Sequence, residues 1–290
     1  MENILLGLIP ALMWGIQPLV MTKIGGKATN QQMGMGMGTL IFSIAIFIFK
    51  RPDVWTVNLI IASMLCGLVW SFGQINQIKS FGIIGVSRAM PISTGTQLIV
   101  ASLFGVLYFK EWDTTVRLIL GFSAILLIII GVAMTAFQEK KSIHNGKQIN
   151  MKKGFITLIL SSFGLAGYAV IPRIANISGW DALFPQAIGM FIGSIIFCKI
   201  ESNSNIWEQK SFKNILTGLV FAVANLTMML SNERNGVAVG FTLSQMNVLI
   251  STLGGLIILH EKKTKLELRY ILLGLVLVAC GGILIGFTKV

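Results

Sequence analysis

An all-α integral membrane fold of ten transmembrane helices, arranged as two inverted repeats of five, follows from three features of the sequence. Charge is scarce, membrane-length apolar runs recur, and the second half echoes the first. Hydrophobic residues fill 54% of the 290 positions and charged residues only 12%, with a mean hydropathy of +0.79. That composition is far too apolar for a soluble domain. A bilayer core about 30 Å thick needs roughly 20 apolar residues at about 1.5 Å each. Runs of that length fall at 3–22, 31–50, 57–78, 84–109, 115–137, 154–174, 180–199, 211–231, 236–259 and 266–288.

The first span carries Pro10-Ala11-Leu12-Met13-Trp14-Gly15 and Gln17. Met1-Glu2-Asn3 lacks a basic n-region and the apolar run continues to about Met21, so it is expected to be a retained span and not a cleaved signal peptide. The second opens on Gln31 followed by Gly34 and Gly38, a Q-x-x-G-x-x-x-G pattern whose small residues let helices approach closely. In the third, Trp70, Gln74 and Gln77 share one face at i, i+4 and i+7, with Asn76 beside them. The fourth contains Arg88-Ala89-Met90-Pro91-Ile92-Ser93-Thr94-Gly95-Thr96-Gln97. Pro91 removes a backbone donor and Gly95 loosens the ladder, which predicts a break near the membrane interior. Arg88, four residues in, is expected to snorkel to the interface.

After the fifth span comes the most hydrophilic stretch, 139–153, with Lys140, Lys141, Lys147, Lys152 and Lys153. It reads as a linker between units 1–138 and 154–290. The seventh span repeats the glycine pattern as Gln186, Gly189 and Gly193. The eighth carries Asn225 and the ninth a polar band, Thr242-Leu243-Ser244-Gln245-Met246-Asn247, placed like the band around Ser93. A second echo sets Ile84-Gly85-Val86-Ser87 against Asn235-Gly236-Val237-Ala238, and Ser102 through Glu111 against Thr252 through Glu261. Two echoes in one order indicate duplication, and an odd number of helices per copy inverts the second copy in the membrane.

The linker side of the membrane holds Lys23, Lys27, Lys79, the five linker lysines, Lys199, Lys210, Lys213, Lys262, Lys263, Lys265 and Arg269. The opposite side holds Lys50, Arg51, Lys110, Arg117, Arg173, Arg234 and Lys289. The positive-inside rule therefore places the linker in the cytoplasm and both termini outside. The net charge of +12 sits in connectors, where anionic headgroups of the lipid bilayer attract it, so no nucleic-acid partner is indicated. Cys66, Cys198 and Cys280 lie in apolar runs without CxxC spacing, so no metal site is expected. His144 lies in the linker and His260 ends the ninth span. No GxSxG, HExxH or P-loop sequence occurs, so neither an enzyme nor a bound cofactor is indicated. Nothing in the sequence specifies an oligomeric state.

Polar side chains inside apolar spans are costly unless they face another helix or a cavity. Trp14, Gln17, Trp70, Gln74, Asn76, Ser93, Thr94, Gln97, Asn225, Ser244 and Gln245 are therefore the candidate substrate contacts. An indole covers the apolar C–H face of a sugar ring, and amides donate to and accept from its hydroxyls. No carboxylate lies mid-span; Glu111, Glu233 and Glu261, near span ends, are the candidates for coupling to protons.

Pro10 to Gly15, Trp70 to Gln77, Gly85 to Gly95, Phe241 to Gln245 and Ser251 to Gly255 together resemble the drug/metabolite transporter superfamily, in its bacterial glucose/ribose uptake branch. The resemblance implies a multi-pass carrier in the cytoplasmic membrane of a bacterium. It further implies sugar import, glucose ahead of ribose, by proton symport with alternating access. One departure stands out: Ala224-Asn225-Leu226 occupies the place where a Trp-Gly segment like Trp70 to Gly73 is expected. Export of amino acids, drugs or metabolites on the same fold is the competing reading. A cationic-drug exporter would be expected to need a carboxylate in its cavity.

Overall fold

The computed structural model describes residues 2–52, 55–110, 112–139, 143–144, 147–201, 205–235 and 243–288. Nine helices among these are long and apolar enough to cross a membrane. They are α1 (Glu2–Ile24), α2 (Ala28–Phe49), α3 (Val57–Ile84), α4 (Val86–Leu107), α5 (Thr115–Thr135), α6 (Met151–Ile174), α7 (Gly179–Glu201), α8 (Ile215–Asn235) and α10 (Lys265–Phe287). A short helix, Gln209–Lys213, leads into α8. Helix α9 (Asn247–Ile257) is the described part of the ninth span, whose first residues, 236–242, lie outside the described residues. Two two-residue strands, Ile143–His144 and Lys147–Gln148, pair antiparallel within the linker.

Caps set where the spans begin. Thr56, Thr114 and Asn150 accept first-turn amides of α3, α5 and α6, and Thr264 forms a capping box with Glu267 at the start of α10. Gly85 alone separates α3 from α4, at φ 84° and ψ 159°, a conformation that only glycine adopts without strain. A side chain there would also collide with the Glu261 carboxylate.

The glycine patterns mark close crossings. Gly34 and Gly38 of α2 lie against Asn214, Gly218 and their backbone, while Gly189 and Gly193 of α7 lie against Met64, Leu68 and Ser71 of α3. Gly67 of α3 meets the Gln186–Gly189 backbone, and Gly131 of α5 faces Gly274 of α10. Helices pack as α3 with α6 and α7, α1 with α8 and α9, α2 with α7 and α8, α4 with α6 and α9, and α5 with α10.

Two expectations are corrected. Helix α4 runs unbroken through Pro91. The proline, sixth residue of the helix, removes one ladder bond and the helix continues, as α1, α6 and α7 do through Pro10, Pro18, Pro172 and Pro185. Irregular backbone occurs instead in the ninth span, where Met246 N donates to Leu243 O (3.2 Å) and Leu249 N to Met246 O (3.1 Å), both i→i+3 bonds. Nor does Arg88 snorkel. Its side chain is 0% exposed and its Nη2 meets the Glu267 carboxylate at 2.6 Å. A partner nearly 180 residues away, supplied by the cap of α10, removes the drive to reach water.

Candidate functional site

The stripe on α3 continues the side of the helix that Gly67 sets closely against α7, and so turns inward. Trp70, Gln74 and Gln77 line a central cavity of about 110 Å³, several times the roughly 10–15 Å³ that one water requires. Helix α1 adds Trp14, Gln17 and Pro18, and α4 adds Met90, Thr94 and Gln97. Leu165 and Tyr168 of α6, Phe221 of α8, and Gln245 with Asn247 at the start of α9 complete the wall. No Asp, Glu, Lys, Arg or His occurs among these lining residues.

One wall is aromatic. The Phe221 ring sits between two indoles, 4.8 Å from Trp70 with 43° between planes and 6.2 Å from Trp14 with 31°. The rest is amide and hydroxyl. Gln77 and Gln97 both donate to Ser93 Oγ at 2.8 Å, and Gln17 donates to Met35 Sδ at 3.4 Å. Trp14 Nε1, Gln74 Nε2 and Asn247 Oδ1 are buried with no hydrogen-bond partner among the described residues. Leaving such a group unpaired costs about 1–3 kcal/mol. The three residues that hold these atoms come from α1, α3 and α9, and all three line the cavity.

Of the predicted contacts, Trp14, Gln17, Trp70, Gln74, Thr94, Gln97 and Gln245 line this cavity. Four others do not. Asn76 folds back to donate to Phe72 O at 2.8 Å. Ser93 is fully buried behind the two glutamines. Asn225 accepts from the Tyr168 hydroxyl at 2.5 Å and donates to Gln186 Oε1 at 3.5 Å, with Gln186 Nε2 on Cys66 Sγ at 3.1 Å. Ser244 accepts from Gln245 Nε2 at 3.4 Å, and its carbonyl accepts from Asn247 Nδ2 at 2.9 Å. These side chains brace the wall from behind. Tyr168, Phe221 and Asn247 line the cavity although not predicted to. Asn247 ended the polar band of the ninth span, whereas the two rings sit in apolar runs where an aromatic reads as core.

Of the coupling candidates, Glu111 lies outside the described residues, as does the side chain of Glu233 on α8. The Glu261 side chain is 3% exposed and salt-bridged to Lys263 at 3.2 Å. Its carboxylate accepts from Val86 N and Ser87 Oγ, both at 2.5 Å, and more weakly from Ser87 N. It thus caps α4, where the helix dipole favours negative charge. Burial holds the Lys263 ammonium below the ordinary lysine range, against the opposing pull of the Glu261 charge. Beside this cluster a wider cavity of about 550 Å³, walled in part by Thr22, Gln31, Ile78, Phe81, Val86 and Glu261, lies toward the linker-side ends of α1, α3 and α4.

Comparison with known proteins matches residues 5–288 to the family described as sugar transport protein. A Listeria monocytogenes protein named for sugar uptake is 50% identical over 99% of both chains. The glucose uptake protein GlcU of Bacillus subtilis is 43% identical over 99% of both. A crystal structure with only 12% identity superposes with a TM-score of 0.60 over 98% of this chain and 96% of its own, a likeness of fold alone.

Proposed function

This chain belongs to the sugar transport protein family, and from that premise we propose that it imports a sugar, glucose in preference to ribose, across the bacterial cytoplasmic membrane. The membrane-length helices and the family make it a multi-pass protein of the bacterial cell membrane. The observation that carries the reading is the uncharged cavity with an aromatic wall and three unpaired polar atoms. A pyranose offers a flat apolar face for the rings and hydroxyls that both donate and accept. A charged cargo would find no counter-charge among the described lining residues. The test is uptake of radiolabelled glucose and ribose into proteoliposomes with and without an inside-alkaline pH gradient. Glucose flux is expected, and absence of flux for both sugars refutes the reading.

Alternating access between two inverted halves is the proposed mechanism, with the linker cytoplasmic. The packing pairs support it: exchanging first-half and second-half numbers turns α3–α6 into α8–α1, α3–α7 into α8–α2 and α4–α6 into α9–α1. The same register sets Gly67 on Gly218, Trp70 on Phe221 and Thr94 on Gln245, and the helix prolines Pro18 and Pro172 set Trp14 on Tyr168. All of these aromatic and polar counterparts line the cavity. Phe221 then takes the place of Trp70 in the eighth span and Ala224 that of Gly73, so the second half keeps an aromatic there but no Trp-Gly segment.

Proton symport is the proposed coupling. A proton crossing 100 mV supplies about 2.3 kcal/mol, roughly a fiftyfold accumulation at one proton per sugar. With no acidic group among the described lining residues, the coupled proton acts away from the sugar. Glu261 is suited to it: protonation removes the charge that pins the start of α4, a helix that also lines the cavity. Gradient-driven glucose accumulation that becomes mere equilibration in Glu261→Gln is the expected result. Unchanged accumulation in that variant removes Glu261 from the coupling.

A further inference from the structure

Ser93 stands behind the cavity wall at a junction of two helices. Its hydroxyl receives Gln77 Nε2 from α3 and Gln97 Nε2 from the next turn of α4, each at 2.8 Å. A serine oxygen has two lone pairs, and both are taken. Ser93 is 0% exposed and does not line the cavity, so it has neither the access nor the acceptor capacity to bind cargo. Both glutamines do line it.

A free carboxamide presents either end to a ligand with nearly the same shape, and so accepts and donates without discrimination. Tying the nitrogen of each amide to one buried oxygen fixes which end is which. We propose that Ser93 is a positioning residue for specificity: it holds Gln77 and Gln97 with their carbonyl oxygens available as fixed acceptors, so that the cavity selects cargo with hydroxyl donors at two neighbouring positions. Asn247, Trp14 and Gln74, which also line the cavity, hold buried unpaired atoms of their own: one acceptor, Oδ1, and two donors, Nε1 and Nε2. This inference rests on the sugar reading above and specifies how that site distinguishes one sugar from another. A site built to pair a hydroxyl rejects the analogue lacking it far better than an apolar pocket rejects an extra methylene.

The experiment measures proteoliposome uptake of glucose and of each monodeoxyglucose by the wild type, Ser93→Ala and Ser93→Thr, with protein content quantified. The wild type is expected to favour glucose over at least one monodeoxyglucose in kcat/KM. Ser93→Ala should shrink that preference about tenfold, chiefly through KM for glucose, and Ser93→Thr, which keeps the hydroxyl, should restore it. Combined with Gln77→Leu and Gln97→Leu, Ser93→Ala should change the preference no further, because it acts only through those amides. An Ala variant with the wild-type preference overturns the proposal while leaving sugar import standing, and so does an additional effect in the triple variant. A wild type that moves no sugar overturns the sugar reading and this inference with it. If Ser93→Ala does not accumulate in the membrane, Ser93→Cys, whose thiol is a weak acceptor, carries the same test.

Discussion

Gln74→Met separates a binding role from a structural one by the sign of its effect on stability. The side chain is 3% exposed and its Nε2 has no partner. Methionine has nearly the same length and volume and no polar atoms, so packing against Trp70 and its neighbours survives. Removing an unpaired buried donor relieves about 1–3 kcal/mol of desolvation. The unloaded protein should therefore become more stable, its Tm in detergent rising by roughly 2–4 °C per kcal/mol. Cargo loses the same donor, and a hydroxyl left unmatched in the cavity costs a similar amount, so KM should rise roughly 5- to 150-fold. Fluorescence-detected thermal unfolding in detergent and proteoliposome uptake read the two quantities on one preparation. A fall in Tm, or an unchanged KM, refutes the assignment of Gln74 as a donor held ready for cargo.

Other consequences concern the frame and the wall. Arg88→Met strands the Glu267 carboxylate, 2% exposed, and should cost about 3–5 kcal/mol in thermal unfolding. The double variant with Glu267→Met should regain only part of that, because Glu267 also completes the capping box of α10 and accepts from Glu139 N. Gly189→Leu drives a side chain into the Met64 backbone and should abolish accumulation in the membrane. Gly82→Ala meets no atom within 4 Å and should add about 0.5–1 kcal/mol on a melting curve. Phe221→Leu takes away the ring between Trp14 and Trp70 and should raise KM for glucose several-fold, with expression intact by immunoblot.

What the sequence disclosed followed from periodicity, and what it hid depended on partners far along the chain. Nine of the ten apolar runs became membrane-length helices within a few residues, since lipid leaves the backbone no other way to satisfy its polar groups. The α3 stripe was legible because 3.6 residues per turn put Trp70, Gln74 and Gln77 on one face. Pro91 misled because a proline inside a membrane helix costs one ladder bond without having to end the helix, as Pro10, Pro18, Pro172 and Pro185 also show. Arg88 misled because Glu267 is adjacent only in space. Ser93, Asn225 and Ser244 were correctly seen as buried and polar, yet polarity alone does not tell a lining residue from one that braces it from behind. Phe221 and Tyr168 gave no sign of facing a cavity, since an aromatic in an apolar run is equally at home against lipid or core.

The cavity wall is drawn from α1, α3, α4, α6, α8 and α9, while α2, α5, α7 and α10 contribute none of it. Under the proposed repeat register the lining of the two halves is unequal: the indole of Trp14 corresponds to the phenol of Tyr168, and the indole of Trp70 to the phenyl of Phe221. A carrier with identical halves would hold its two access states at the same free energy and load equally well from either side. On the alternating access proposed above, this one is not so indifferent. Cargo entering from outside and cargo entering from the cytoplasm meet different rings first, and half-saturating concentrations for influx and efflux should differ even with no gradient applied.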